Sequence, residues 1–136
     1  LKFKKVIILE AHIPNFESVK EKFKSDDRVE VIFGDARTAS THILEKVDCT
    51  FWWHGPEHIP ASDLPQAYTE CKKITNNAII WSCPWGDYYA LVGQYPADYH
   101  HFFPENEQFS DLGMTVVNTG APKNEGASSI LAYSFF

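Results

Sequence analysis

KVIILE, Lys5 to Glu10, is an unbroken apolar run closed by an acid. A strand with one wet face alternates polar and apolar residues, so a run without alternation predicts a strand covered on both faces, the habit of parallel sheets in α/β domains. The flanking sequence supports that choice. Pro14 opens a segment in which Phe16, Val19 and Phe23 recur at helical spacing among lysines and glutamates, an amphipathic helix with proline near its first position. Ser25-Asp26-Asp27 closes it, and Val29 to Phe33 is a second strand stopped by Gly34-Asp35.

The alternation of strand and helix continues outward. Thr38 to Lys46 predicts a weaker helix with Ile43 and Leu44 as apolar contacts, Asp48 to Trp53 a third strand, and Asp63 to Thr75 a helix lined by Leu64, Ala67, Cys71 and Ile74. Ala78 to Cys83 is a fourth strand. Residues 84 to 104, rich in Pro, Gly, Tyr and His, form a long irregular stretch of the kind that usually carries function. A short helix from Glu105 to Leu112 ends at Gly113, and Met114 to Asn118 and Ser128 to Phe136 read as two closing strands. This order predicts one α/β domain over residues 1–136: an open, mostly parallel sheet, helices on both faces, and an antiparallel hairpin at the C-terminal edge.

Composition bounds the partners. The chain has 136 residues, 44% of them hydrophobic, and a net charge of -6. That balance argues against general nucleic-acid binding, which needs a basic face. No apolar stretch approaches the roughly 18 residues of a membrane span. Cys49, Cys71 and Cys83 are odd in number and lack CxxC spacing, which predicts free thiols in a reducing compartment and hence a cytoplasmic address. Nothing in the sequence indicates an oligomeric state.

In open α/β sheets ligands bind beyond the carboxyl ends of the strands. Polar tips stand at four such ends: Glu10-Ala11-His12, Gly34-Asp35-Ala36-Arg37, His54-Gly55-Pro56-Glu57-His58 and Pro84-Trp85-Gly86-Asp87. The third matches the HxxEH spacing of zinc proteases, whose two histidines share one helix face. Gly55-Pro56 opposes that arrangement, because the residue before a proline is pushed out of the helical region, so a helix would begin at Pro56 with His54 outside it. The reading is therefore a helix entrance with Glu57 in the first turn, with no metal expected; His100 and His101 are the sole distant candidates for a third ligand.

Taken together, VIILEA, VEVIFGDA, DCTFWWHGPEHI, DYHHFFPENEQFSDLGMTVV and SSILAYSFF resemble, in order and across nearly the whole chain, the class I S-adenosylmethionine-dependent methyltransferases. The resemblance implies a Rossmann-like sheet and methyl transfer from S-adenosylmethionine to a small-molecule or other nucleophilic acceptor. It implies cofactor binding by Glu10, Ala11, His12, Asp35, Ala36 and Trp53, with Glu10 accepting from the ribose hydroxyls and Asp35 lying beside the adenine. It places His54 as the catalytic residue at the acceptor, and Glu57, His58, Trp85 and Tyr88 as substrate-binding.

One departure stands out. The glycines fall at 34, 55, 86, 93, 113, 120 and 126, so no GxG occurs, whereas the family carries a glycine-rich loop between its first strand and first helix. The resemblance then places Leu1 just before the family's second strand, and the expectation is a longer protein whose first strand would lie between the strands read here as first and third. The alternatives are a non-catalytic binding or scaffold subunit and, less favoured, a zinc-dependent hydrolase using HxxEH.

Overall fold

The computed structural model describes residues 3–86, 99–123 and 128–136. Among the described residues, six strands and four helices follow one another in the predicted alternation: β1 Val6–Glu10, α1 Ile13–Phe23, β2 Val29–Phe33, α2 Ala39–His42, β3 Val47–Trp53, α3 Leu64–Ile74, β4 Thr75–Pro84, α4 Asn106–Ser110, β5 Thr115–Thr119 and β6 Ser129–Phe135. The strands β1 and β2 pair in parallel, as do β3 and β4, while β6 lies antiparallel between β4 and β5. The C-terminal edge is thus the antiparallel pair that the sequence predicts.

The sheet is broken in one place. Among the described residues β1 and β2 form a two-stranded ladder, and β3-β4-β6-β5 forms a separate four-stranded one. No ladder joins β1 to β3 among the described residues, and the family resemblance puts the additional strand between those two. Contact across it runs through side chains instead: Ala39, Ile43 and Ile74 pack with Ile7, Leu9 and Ile32. This qualifies the first expectation, since all five residues of β1 are half-buried and none is enclosed. The cause is the open edge, together with α1, which buries no residue of its own and meets the sheet through the edge-on pair Phe16–Phe33 at 5.5 Å.

The main core lies on the face of the larger sheet that α3 covers. Leu64, Ala67, Tyr68 and Cys71 of α3 pack on Ile79, Trp81, Cys83, Ile130 and Ala132, with Phe109 of α4 closing one end. Trp81 is central, with Trp52, Tyr68 and Phe109 edge-on to its ring. The reverse face carries exposed aromatic residues among the described residues. Strand register lines up Phe51, Ile80 and Tyr133, and likewise Trp53, Ser82, Leu131 and Val117, on one side of the sheet. Phe51 is 61% exposed, Trp53 55% and Phe135 73%.

Two helices differ from expectation. The segment from Thr38 to Lys46 yields only one 3₁₀ turn and the short α2, because Ile43 leaves the helix in extended conformation to bury itself while Leu44 stays 90% exposed. No helix runs on from Pro56 either: Pro56–His58 is a single 3₁₀ turn, and Pro60 separates it from the next turn and from α3. No helix among the described residues is long and apolar enough to cross a membrane.

Candidate functional site

The carboxyl ends of β1 and β2 lie side by side, since Glu10 pairs with Phe33 and the Gly34 N–H donates to the Glu10 carbonyl at 3.1 Å. The Glu10 side chain is held in place: its Oε1 accepts the His12 N–H at 2.8 Å. Ala11 is exposed between them, and His12 is the N-cap of α1. Asp35 caps the 3₁₀ turn that contains Ala36 and accepts from the Arg37 backbone N–H at 2.8 Å. Its carboxylate is also gripped by the Arg37 guanidinium, which bridges onward to Asp63 at 2.8 Å. That hydrogen bonding to Arg37 holds the Asp35 carboxyl below its ordinary range. Sequence reasoning placed Asp35 at a strand end but missed the brace, which depends on Asp63 arriving from a distant segment.

The end of β3 carries a second group. The His54 N–H extends the ladder by donating to the Ser82 carbonyl at 2.8 Å, and His54 then turns into the left-handed region at φ 50°. Such a conformation costs a non-glycine residue about 1 to 3 kcal/mol and is tolerated where the surroundings fix it. Here Gly55 does so, because a Cβ at that position would sit 1.6 Å from Trp52 Nε1. Only glycine lets the chain cross the indole. The turn brings His54 Nδ1 to 3.3 Å from Glu57 Oε1 and sets the His54 ring against Trp53, itself stacked on Phe51 at 5.7 Å.

Glu57 is completely buried, yet neither carboxylate oxygen accepts a hydrogen bond; the nearby His54 nitrogen is close without being aligned. Burial pushes its carboxyl up to about 7. Burial, followed by the field of His58, lowers the His54 imidazole from its ordinary value, so His54 is neutral at pH 7. His58 Nδ1 lies 3.3 Å from the Tyr99 carbonyl, and its ring meets that of His100 edge-on at 5.1 Å. The His101 N–H donates to the Glu57 carbonyl at 2.8 Å, locking residues 99–101 onto the turn. The histidine pair visible in the sequence as a distant candidate therefore does reach the HxxEH stretch. Its approach is a loop contact with no periodicity to announce it.

Trp85 follows β4, where its side chain is partly buried against the main core and its N–H donates to the Ser128 carbonyl at 3.2 Å. Tyr88 lies outside the described residues. Cys71 and Cys83 are buried, with burial pushing the Cys71 thiol up to about 12 and Cys83 higher still, while Cys49 is exposed; all three are free. A cavity of about 290 Å³ between Ile7, Ile32 and Ile43 contains none of the predicted site residues.

Comparison with solved structures decides the architecture. The chain superposes on the N-methyltransferase NodS from Bradyrhizobium japonicum over 97% of its length and 72% of that protein's, with a TM-score of 0.68 and 12% identity. The fold is the Rossmann-like fold of class I methyltransferases. TehB from Haemophilus influenzae shares this methyltransferase fold over 95% of the present chain and 49% of its own, with a TM-score of 0.66 and 10% identity. So does the magnesium protoporphyrin IX methyltransferase ChlM from Synechocystis, solved with bound SAH, over 88% of this chain and 56% of its own at 12% identity, with a TM-score of 0.54. The chain thus spans about half the length of TehB and 41% of the carbon methyltransferase of CurJ. No protein-family model matches the sequence. No curated protein matches it either.

Proposed function

We propose that the chain is the larger part of a methyltransferase domain that transfers a methyl group from S-adenosylmethionine to a small-molecule or other nucleophile. The observation that carries this reading is the placement of Glu10, Asp35 and Trp53-His54 at the carboxyl ends of β1, β2 and β3 in a methyltransferase fold, the position at which such sheets take ligands. When bound, the cofactor supplies an electrophilic methyl carbon; the protein's work is orientation and exclusion of water.

The residues at the first corner suit a ribose. Glu10 is fixed through one oxygen by the His12 N–H, leaving the other to accept from a hydroxyl. Ala11 and His12 form the wall beyond it, and Asp35 and Ala36 flank the base, with Asp35 reaching it by sharing its carboxylate with Arg37. Trp53 offers an exposed apolar surface. At the acceptor, His54 is neutral at pH 7 and its Nδ1 is turned to Glu57, so Nε2 is the atom that takes a hydrogen bond or a proton. Glu57 and His58 build the floor of that pocket, and Trp85 braces it from the core side.

The test is calorimetric titration of the full-length protein with S-adenosylmethionine or its demethylated product. Glu10→Ala should weaken binding by about 1 to 3 kcal/mol, the cost of losing charge-assisted hydrogen bonds. Unchanged affinity in that variant would remove Glu10 from the site. A full-length protein that binds neither compound would select the scaffold reading.

A further inference from the structure

We propose that Glu57, His58 and His100 form a binding site for a divalent transition metal of the zinc class, with an exchangeable position on the side of His54. The site shares Glu57 and His58 with the proposed acceptor pocket but does not require the methyl-transfer reading, and it differs from the protease arrangement, in which both histidines of HxxEH bind metal and the glutamate does not. Here the glutamate is a ligand, and the second imidazole comes from the loop.

Geometry supplies the first support. One donor atom from each of the three residues lies within 4.8 Å of the others. A tetrahedral ion with bonds of about 2.0 to 2.1 Å holds its ligands about 3.4 Å apart, so modest side-chain rotations close the cluster. The backbone is already committed to this: the His101 N–H to Glu57 carbonyl bond clamps the two segments that bear the donors.

Hydrogen bonding supplies the second, independently. Both Glu57 oxygens are buried without a donor, a costly state for a carboxylate in an apolar interior. His58 sits with Nδ1 facing the Tyr99 carbonyl, which accepts only if Nδ1 carries the proton. Its Nε2 is then a lone pair, and it lies 4.0 Å from Glu57 Oε1. With the ring neutral, two acceptor atoms face each other there, and a divalent cation satisfies both where otherwise a shared proton must. A ring nitrogen tied to a backbone carbonyl while the other faces a carboxylate is the second-layer pattern that orients histidine ligands. The chemistry of the set, two imidazoles and one carboxylate, suits zinc or its neighbours in the transition series over magnesium or calcium, which take oxygen ligands. The half-exposed His54 marks the open side, where a water or an acceptor oxygen completes the coordination.

The test uses untagged protein stripped with a chelator, titrated with Co²⁺ by visible absorption and then with Zn²⁺ in competition. One equivalent should bind. His100→Ala and Glu57→Gln should each weaken it at least tenfold, while His42→Ala, in α2 and beside Thr38, should not change it. Because Glu57 is buried and its variant can fail to fold, the wild-type melting temperature in micromolar Zn²⁺ is a second readout, expected to rise as binding favours the native state. No saturable binding, no thermal shift, or full affinity in a folded His100→Ala would overturn the site. Cofactor titration of the same protein separates the two proposals, since loss of metal binding with cofactor binding intact sinks only this one.

Discussion

Gly55 shows how much a single position can carry. With Trp52 Nε1 1.6 Å from where a Cβ would stand, Gly55→Ala must push the indole from its edge-on contact with Trp81 at 5.1 Å or unseat the left-handed turn at His54. Overpacking of this kind costs about 1 to 3 kcal/mol, so the urea midpoint should fall; an unchanged midpoint would mean that the indole is free to move. Glu70 makes a prediction in pH. It binds Lys73 and accepts from Ser40 N at 3.0 Å, and these contacts, Lys73 first, hold its carboxyl down to about 2 against an ordinary 4.5. A folded value below the unfolded one means that the stabilisation is complete above pH 4.5 and fades as pH falls toward 2. Glu70→Gln should therefore lose about 1 to 2 kcal/mol at pH 7, with the difference from wild type shrinking below pH 4.5 in denaturation curves.

Among the elements, α4 is the most dependent on one side chain. A five-residue helix has no stability of its own, and it stands here because Glu105 and Gln108 form a capping box and Phe109 is wholly buried beside Trp81. Phe109→Ala should cost about 3 to 5 kcal/mol and erase near-ultraviolet dichroism from the tryptophan cluster. The elements also show what was legible beforehand. β1 to β4 were readable because their apolar runs are long and end in turn chemistry, and α1 and α3 because their apolar residues recur at helical spacing. The helix assigned to Thr38–Lys46 rested on the single pair Ile43-Leu44 with no large apolar partner a turn away within the segment, and it shrank to Ala39–His42. At the site, His54, Glu57 and His58 were visible as a cluster, since their proximity is local. The approach of His100 and the Arg37–Asp63 brace were not, because loop contacts between distant segments leave no period in the sequence.

At the level of the whole molecule, a strip of exposed apolar side chains on one sheet face bears on behaviour in solution. Phe51, Trp53, Val117 and Phe135 are all exposed and share one side of β3-β4-β6-β5 with Ile80, Leu131 and Tyr133. Patches of that kind mark surfaces that meet another element or another molecule. The chain should enhance the fluorescence of an anilinonaphthalene dye while natively folded, and Phe51→Ser with Phe135→Ser should reduce that signal with little loss of melting temperature; a dye signal indifferent to both would place the sticky surface elsewhere. The broken sheet has a further consequence. With no ladder rung joining β1 to β3 among the described residues, cooperativity must cross on the side chains of Ile7, Leu9, Ile32, Ile43 and Ile74 and on the Arg37–Asp63 and Ser40–Glu70 contacts. Amide protons of the first two strands should accordingly trade with deuterium well before those of β4 and β6, so that the smaller ladder unzips as a unit of its own while the tryptophan core keeps its shape.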